Sequence, residues 1–145
     1  MKKIIIYTDG ASRDNPGEAA IGAVFCNEKG DIIRRHCQYL GEKITNNEAE
    51  YMAVILALKK FNALFGKKLA QKTEVEIRSD SELLVRQING EYKVLKPEIQ
   101  DLFIQIWNLK TGFKAVKFKL IAREKNQEAD KLANEALNEK GNSLF

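Results

Sequence analysis

KIIIYTDGASRDNPGEAAIGAVFCNEKGDIIRRHCQYL, residues 3–40, decides the fold. It holds three apolar runs, at residues 3–8, about 19–27 and about 32–40. Two short turn-forming segments separate them, one through Asp14, Asn15, Pro16 and Gly17, the other EKGD at 28–31. Connections this short join antiparallel neighbours, so the stretch predicts a three-strand meander.

Working outward, Thr45 and Glu48 form a T-x-x-E capping box ahead of a long apolar helix face: Ala53, Val54, Ala57, Phe61, Leu64 and Phe65. Residues 73–79 alternate, with Val75 and Ile77 against Glu74, Glu76 and Arg78, and predict a fourth strand. A short helix is expected from about Asp80 to Ile88, ending near Asn89-Gly90. Pro97 opens another, with Ile99, Leu102, Phe103, Ile106 and Trp107 at helical spacing, to about 111. A fifth strand follows at 115–121, then a helix at about 127–139 capped by Asn126, with the tail fraying from Lys140. Three strands followed by alternating helices and strands describe an α/β fold with a five-stranded mixed sheet. With strand four parallel beside strand one after a right-handed crossover, Asp9 and Asp80 emerge together at the strand ends.

The 145 residues, 44% hydrophobic and 30% charged, fit one domain spanning residues 1–145. No stretch approaches the apolar length of a membrane span, and the opening MKKIIIYTDG is too short for a signal peptide, so a cytoplasmic location is expected. The net charge of +4 is compatible with nucleic-acid binding without establishing it. Cys26 and Cys37 flank the EKGD turn at positions that a hairpin holds beyond disulfide reach, so both are expected reduced. One histidine and two cysteines at no ligand spacing argue against zinc.

Four acids stand where folding alone gives them little reason to be: Asp9 in YTDGAS, Glu50 in TNNEAEYMA, Asp80 in RSDSELL and Asp130 in NQEADKLAN. An acid at the edge of an apolar element costs stability unless a positive group binds it. Glu50 shares a helical stripe with Ala53, Val54, Ala57 and Phe61, whereas Glu48 already serves the cap. Local roles compete: a turn for Asp9, a dipole partner for Glu50, an N-cap for Asp80 beside Ser79 and Ser81. Asp130 lies inside a helix, on a stripe with Ala133 and Leu137. Carboxylates converging from separate elements suit a hard divalent cation such as Mg²⁺.

TDGAS with NPG downstream, TNN-x-AEY-x-A, SDSELLVRQINGEY and REKN-x-x-AD-x-LAN, in that order from Asp9 to Asn134, resemble type 1 ribonuclease H. The resemblance implies the ribonuclease H-like fold and endonucleolytic cleavage of the RNA strand of an RNA/DNA hybrid. It implies that Asp9, Glu50, Asp80 and Asp130 hold two Mg²⁺ ions, with Mn²⁺ as a substitute. It also implies hybrid recognition by Gly10, Ala11, Ser12, Asn15, Asn46 and Asn47, and a phosphate contact at Thr45. Two of these residues have competing local roles, the N-P-G turn for Asn15 and the helix cap for Thr45. The chain departs from many members in lacking a histidine in LIAREKNQEAD; Arg123 is the replacement there, or a surface charge. The only histidine, His36, is expected merely to sit on the sheet. The run EYKVLKPEIQ carries only Lys93 and Lys96 as bases, short of the basic protrusion of other members. Binding should then be weak and salt-sensitive. Some compact members of this sort also cut double-stranded RNA, an alternative reading that these residues leave open. A monomer is expected. Integrases and transposases share the fold, but TNNEAEY and REKN argue against them. A catalytically silent hybrid-binding module has no use for clustered acids facing a polyanion.

Overall fold

The structure, a computed structural model, describes residues 2–142. Its sheet has the order β3-β2-β1-β4-β5, from β1 (Lys3–Ser12), β2 (Gly17–Cys26), β3 (Ile32–Ile44), β4 (Glu74–Ser79) and β5 (Ala115–Leu120). β1 pairs antiparallel with β2 and parallel with β4, and β4 pairs parallel with β5, as the sequence predicts. Strand alternation divides the apolar residues between two faces. Ile4, Ile6, Phe25, Val75, Ile77 and Phe118 meet α1 (Asn46–Phe65), α3 (Glu82–Ile88) and α4 (Pro97–Lys110) in the main core. On the other face Ile5, Val24 and Cys26 pack on Ala129, and Ala20 packs on Ala136 and Leu137, all three from α5 (Gln127–Asn142).

α5 leaves the β4–β5 half of its face uncovered. Lys3, Glu74, Glu76, Arg78 and Lys117 neutralise one another there, with Arg78 Nε 2.6 Å from Glu76 Oε2 and Lys117 Nζ 3.1 Å from Glu74 Oε1. No helix among the described residues is long and apolar enough to cross a membrane.

Several expectations are corrected. β1 does not end at Thr8 but runs on to Ser12, because β2 keeps pairing with it (Asp9 opposite Gly22, Ser12 opposite Ala19) after its pairing with β4 ends at Tyr7 opposite Arg78. β3 likewise continues beyond 40 to Ile44. An unpredicted short helix, α2 (Lys67–Ala70), follows Gly66, and a 3-10 turn covers Arg123–Lys125. The helix expected from Asp80 starts at Glu82, since Ser81 Oγ accepts the Leu84 N–H at 3.3 Å and takes the cap. Asn126 does not cap α5 through its side chain: its amide Nδ2 donates to the Thr8 carbonyl at 2.9 Å, and its Oδ1 is buried with no hydrogen-bond partner among the described residues. α5 continues through Lys140 to Asn142; the rest of the expected fraying tail, residues 143–145, lies outside the described residues. Cys37 lies opposite Gly22 and Cys26 opposite Ile32, and both thiols are free.

Two glycines set the layer spacing beside Asp9. A Cβ on Gly10 would overlap the backbone of Ala49 and Glu50 in α1, and one on Gly22 would overlap the Ala129 carbonyl in α5. We expect Gly22→Ala to lower stability to urea by about 1–3 kcal/mol, because helix backbone cannot rotate aside as a side chain can. Gly30→Ala, at a turn with open space and φ +92°, should cost only about 1–2 kcal/mol through its backbone conformation.

Candidate active site

The capping box forms as read: Thr45 Oγ1 accepts the Glu48 N–H at 3.1 Å and Glu48 Oε1 accepts the Thr45 N–H at 3.0 Å. With Glu48 held there, Glu50 is free to point at β1, where its Oε1 accepts the Gly10 N–H. Asp9, on β1, is buried, and Asp80 follows the last residue of β4. Ser81 caps α3, so Asp80 is not consumed by the role that competed for it. Carboxylate oxygens of Asp9, Glu50 and Asp80 lie within 4.8 Å of one another. Asp130, more exposed, reaches Asp9 from α5 and lines the same open cleft of ≈ 640 Å³.

Burial and then the charge of Glu50 push Asp9 up to about 10, with Asp80 adding to the rise. Burial also raises Glu50, to about 7, against the lowering effect of hydrogen bonds from Gly10, Asp9 and Ser79. Such shifts mark negative charge short of a counter-ion. An all-oxygen donor set with that deficit fits a hard divalent cation.

Gly10, Ala11, Ser12, Asn46 and Arg123 line the cleft with the acids. Asn15, Thr45 and Asn47 stand behind this wall rather than in it. Asn15 Oδ1 accepts the Asn46 N–H at 2.9 Å, and Asn46 Oδ1 accepts the Ser12 N–H at 2.9 Å. The oxygen of Asn15 therefore braces the start of α1. Thr45 is engaged in the cap, and Asn47 Oδ1 is buried without a hydrogen-bond partner among the described residues. Arg123 is 94% exposed, its Nε 4.0 Å from Asp80 Oδ2. His36 is on β3, two strands from Asp9, with Nε2 3.3 Å from Gln38 Oε1; burial lowers its pKa.

Sequence reasoning missed Ser81 and Asn134 in the cleft and the amide of Asn126 beside Asp80. Asn126 and Asn134 both stand in the REKN-x-x-AD-x-LAN word, but no local pattern separates a site amide from a helix cap.

A family profile described as "Reverse transcriptase-like" matches residues 7–136. A ribonuclease HI of Halobacterium salinarum is 37% identical over 137 residues, covering 94% of this chain and 65% of that protein. The crystal structure of LC11-RNase H1 in complex with an RNA/DNA hybrid matches with a TM-score of 0.89 at 47% identity, over 94% of this chain and 98% of that one. The chain belongs to the type 1 ribonuclease H family. RNase H1 from Halobacterium salinarum NRC-1 matches this ribonuclease H with a TM-score of 0.86 at 35% identity, over 94% of this chain and 98% of that one. The chain spans 65% of the length of the Halobacterium relative and 35% of a bifunctional Mycobacterium tuberculosis relative.

Without cation, the folded ribonuclease H holds a proton on Asp9 that the unfolded chain releases near 3.8, so its stability should fall as pH rises from there toward about 10. Asp9→Asn should flatten that slope and raise stability in chelator at pH 8 by at least about 1.4 kcal/mol, the worth of one pKa unit. Melting curves across pH with EDTA check this; equal slopes for both proteins would refute it.

Proposed function

We propose that this chain is a metal-dependent endoribonuclease that hydrolyses the RNA strand of RNA/DNA hybrids by a two-metal mechanism, leaving 3′-hydroxyl and 5′-phosphate ends. The observation that carries the reading is the convergence of Asp9, Glu50 and Asp80 within 4.8 Å in an open cleft. The family membership and the hybrid complex of the similar LC11-RNase H1 support it.

Asp9, Glu50, Asp80 and Asp130 would hold two Mg²⁺ ions, or Mn²⁺ in their place. Bound there, such ions supply an activated water and a Lewis-acid clamp on the scissile phosphate. The residues themselves do three further things. The acid cluster repels a phosphate backbone that arrives without cations, which couples binding to metal. Gly10, Ala11, Ser12 and Asn46 form a wall of small and polar groups to read the RNA 2′-hydroxyl, backed by Asn15, Thr45 and Asn47. Arg123, extended into solvent, engages phosphate as a fixed cation and does not shuttle protons near neutral pH.

The segment between α3 and α4 forms no helix and carries only Lys93 and Lys96, so few phosphates are neutralised and hybrid affinity is weak. A cytoplasmic monomer in which residues 1–145 form one ribonuclease H domain completes the proposal; the RNA-duplex arm of the assay below decides whether that substrate is cut as well.

End-labelled hybrid, RNA duplex and DNA duplex incubated with Mg²⁺, Mn²⁺ or chelator test it. Metal-dependent cutting of the hybrid's RNA strand is expected, and Asp9→Asn, Glu50→Gln or Asp80→Asn should each slow it by roughly 10²–10³-fold or more. Arg123→Ala should lose less than about tenfold, mostly as a raised KM, since it removes one exposed phosphate contact. Tight hybrid binding with no cutting under either metal would overturn the reading.

A further inference from the structure

Asn126 stands where the acid-bearing segments meet. Its N–H donates to the Arg123 carbonyl at 3.0 Å, closing the turn that carries Arg123. Its carbonyl accepts the Asp130 N–H at 3.1 Å, fixing the first turn of α5. Its side-chain Nδ2 donates to the carbonyl of Thr8 at 2.9 Å, one residue before Asp9, and to Asp80 Oδ1 at 3.3 Å. The residue is 2% exposed. One amide therefore links β1, the end of β4 and α5 at the level of the acids.

The other half of the same amide points to its purpose. Asn126 Oδ1 is buried and finds no hydrogen-bond partner among the described residues. An orphaned buried acceptor lowers stability, and an apolar side chain of the same size would remove it. What an apolar side chain cannot do is donate to the Thr8 carbonyl and to Asp80. The amide keeps its donor at the expense of its acceptor.

We propose that Asn126 is a positioning residue that fixes the Asp80 carboxylate relative to Asp9 and Asp130 for divalent-cation binding, a role that rests on reading those acids as cation ligands. Groups behind a ligand hold its orientation, and losing one typically weakens metal affinity about 10–100-fold.

The test is calorimetric titration of Mn²⁺ into the full chain without nucleic acid, for wild type, Asn126→Ala and the size-matched Asn126→Leu. Melting curves in chelator accompany it. Both variants should weaken Mn²⁺ binding at least tenfold, while Asn126→Leu keeps a melting temperature at or above that of Asn126→Ala. With hybrid, both should need more Mg²⁺ for half-maximal cleavage, with the KM for hybrid unchanged at saturating Mg²⁺. A structural role alone would lower the melting temperature and leave Mn²⁺ affinity of the folded protein intact, which would overturn the proposal. So would loss of folding in both variants. If wild type itself binds no Mn²⁺, the reading of the acids as ligands falls; if all three bind equally, only the role of Asn126 does.

Discussion

At the level of Asp9 the sheet carries no side chain on two neighbouring positions. Gly22, the cross-strand partner of Asp9, leaves room for the backbone of α5, and Gly10 leaves room for the backbone of α1 on the opposite face. Side chains at both positions would hold the helices off the sheet. Without them, Glu50 near the start of α1 and Asp130 in the first turn of α5 come within reach of an acid that belongs to neither helix. The site is thus a consequence of how closely two helix backbones lie on β1 and β2.

That closeness works against electrostatics. Asp9, Glu50 and Asp80 share one corner with little cation of the protein's own, since Arg123 approaches only Asp80 and is largely in solvent. The main core supplies the compensation. Ile4 and Ile6 precede Asp9 on β1, Val75 and Ile77 precede Asp80 on β4, and Val54, Ala57 and Phe61 follow Glu50 on α1, all buried together. Apolar burial on the order of 25 cal/mol per Å² along these segments holds in place the acids at their ends. The repulsion is the physical basis for the proposed metal dependence: packing assembles the corner, and positive charge would complete it.

Much of this is legible in the sequence because its signals are local. Apolar runs between turns and, for β4, alternation assign the strands, the T-x-x-E box fixes where α1 begins, and that starting point sets which of Glu48 and Glu50 faces the sheet. What stays hidden depends on distant partners. β1 extends past Thr8 because β2 continues beside it, and nothing within residues 8–12 reports the length of that pairing. Ser81 and Asp80 are adjacent candidates for one cap, and only the chain direction leaving β4 selects between them. The amide of Asn126 bonds a carbonyl 118 positions away, so its sequence context suggests a helix cap while its actual partners lie across the fold.

The two faces of the sheet are unequally furnished. Three helices and a large aliphatic and aromatic core cover one, while on the other α5 alone meets the sheet, mainly through its own Ala129, Ala136 and Leu137. The uncovered remainder is sealed by its own ion pairs and offers α5 no further apolar grip. With the smaller of the two apolar clusters beneath it, α5 is expected to open locally before the elements opposite. Its opening would detach Asp130 while leaving Asp9, Glu50 and Asp80 on a folded core. The four acids therefore divide into three carried by the elements of the main core and a fourth carried by α5, and amide hydrogen exchange along α5 would report how often that fourth is detached.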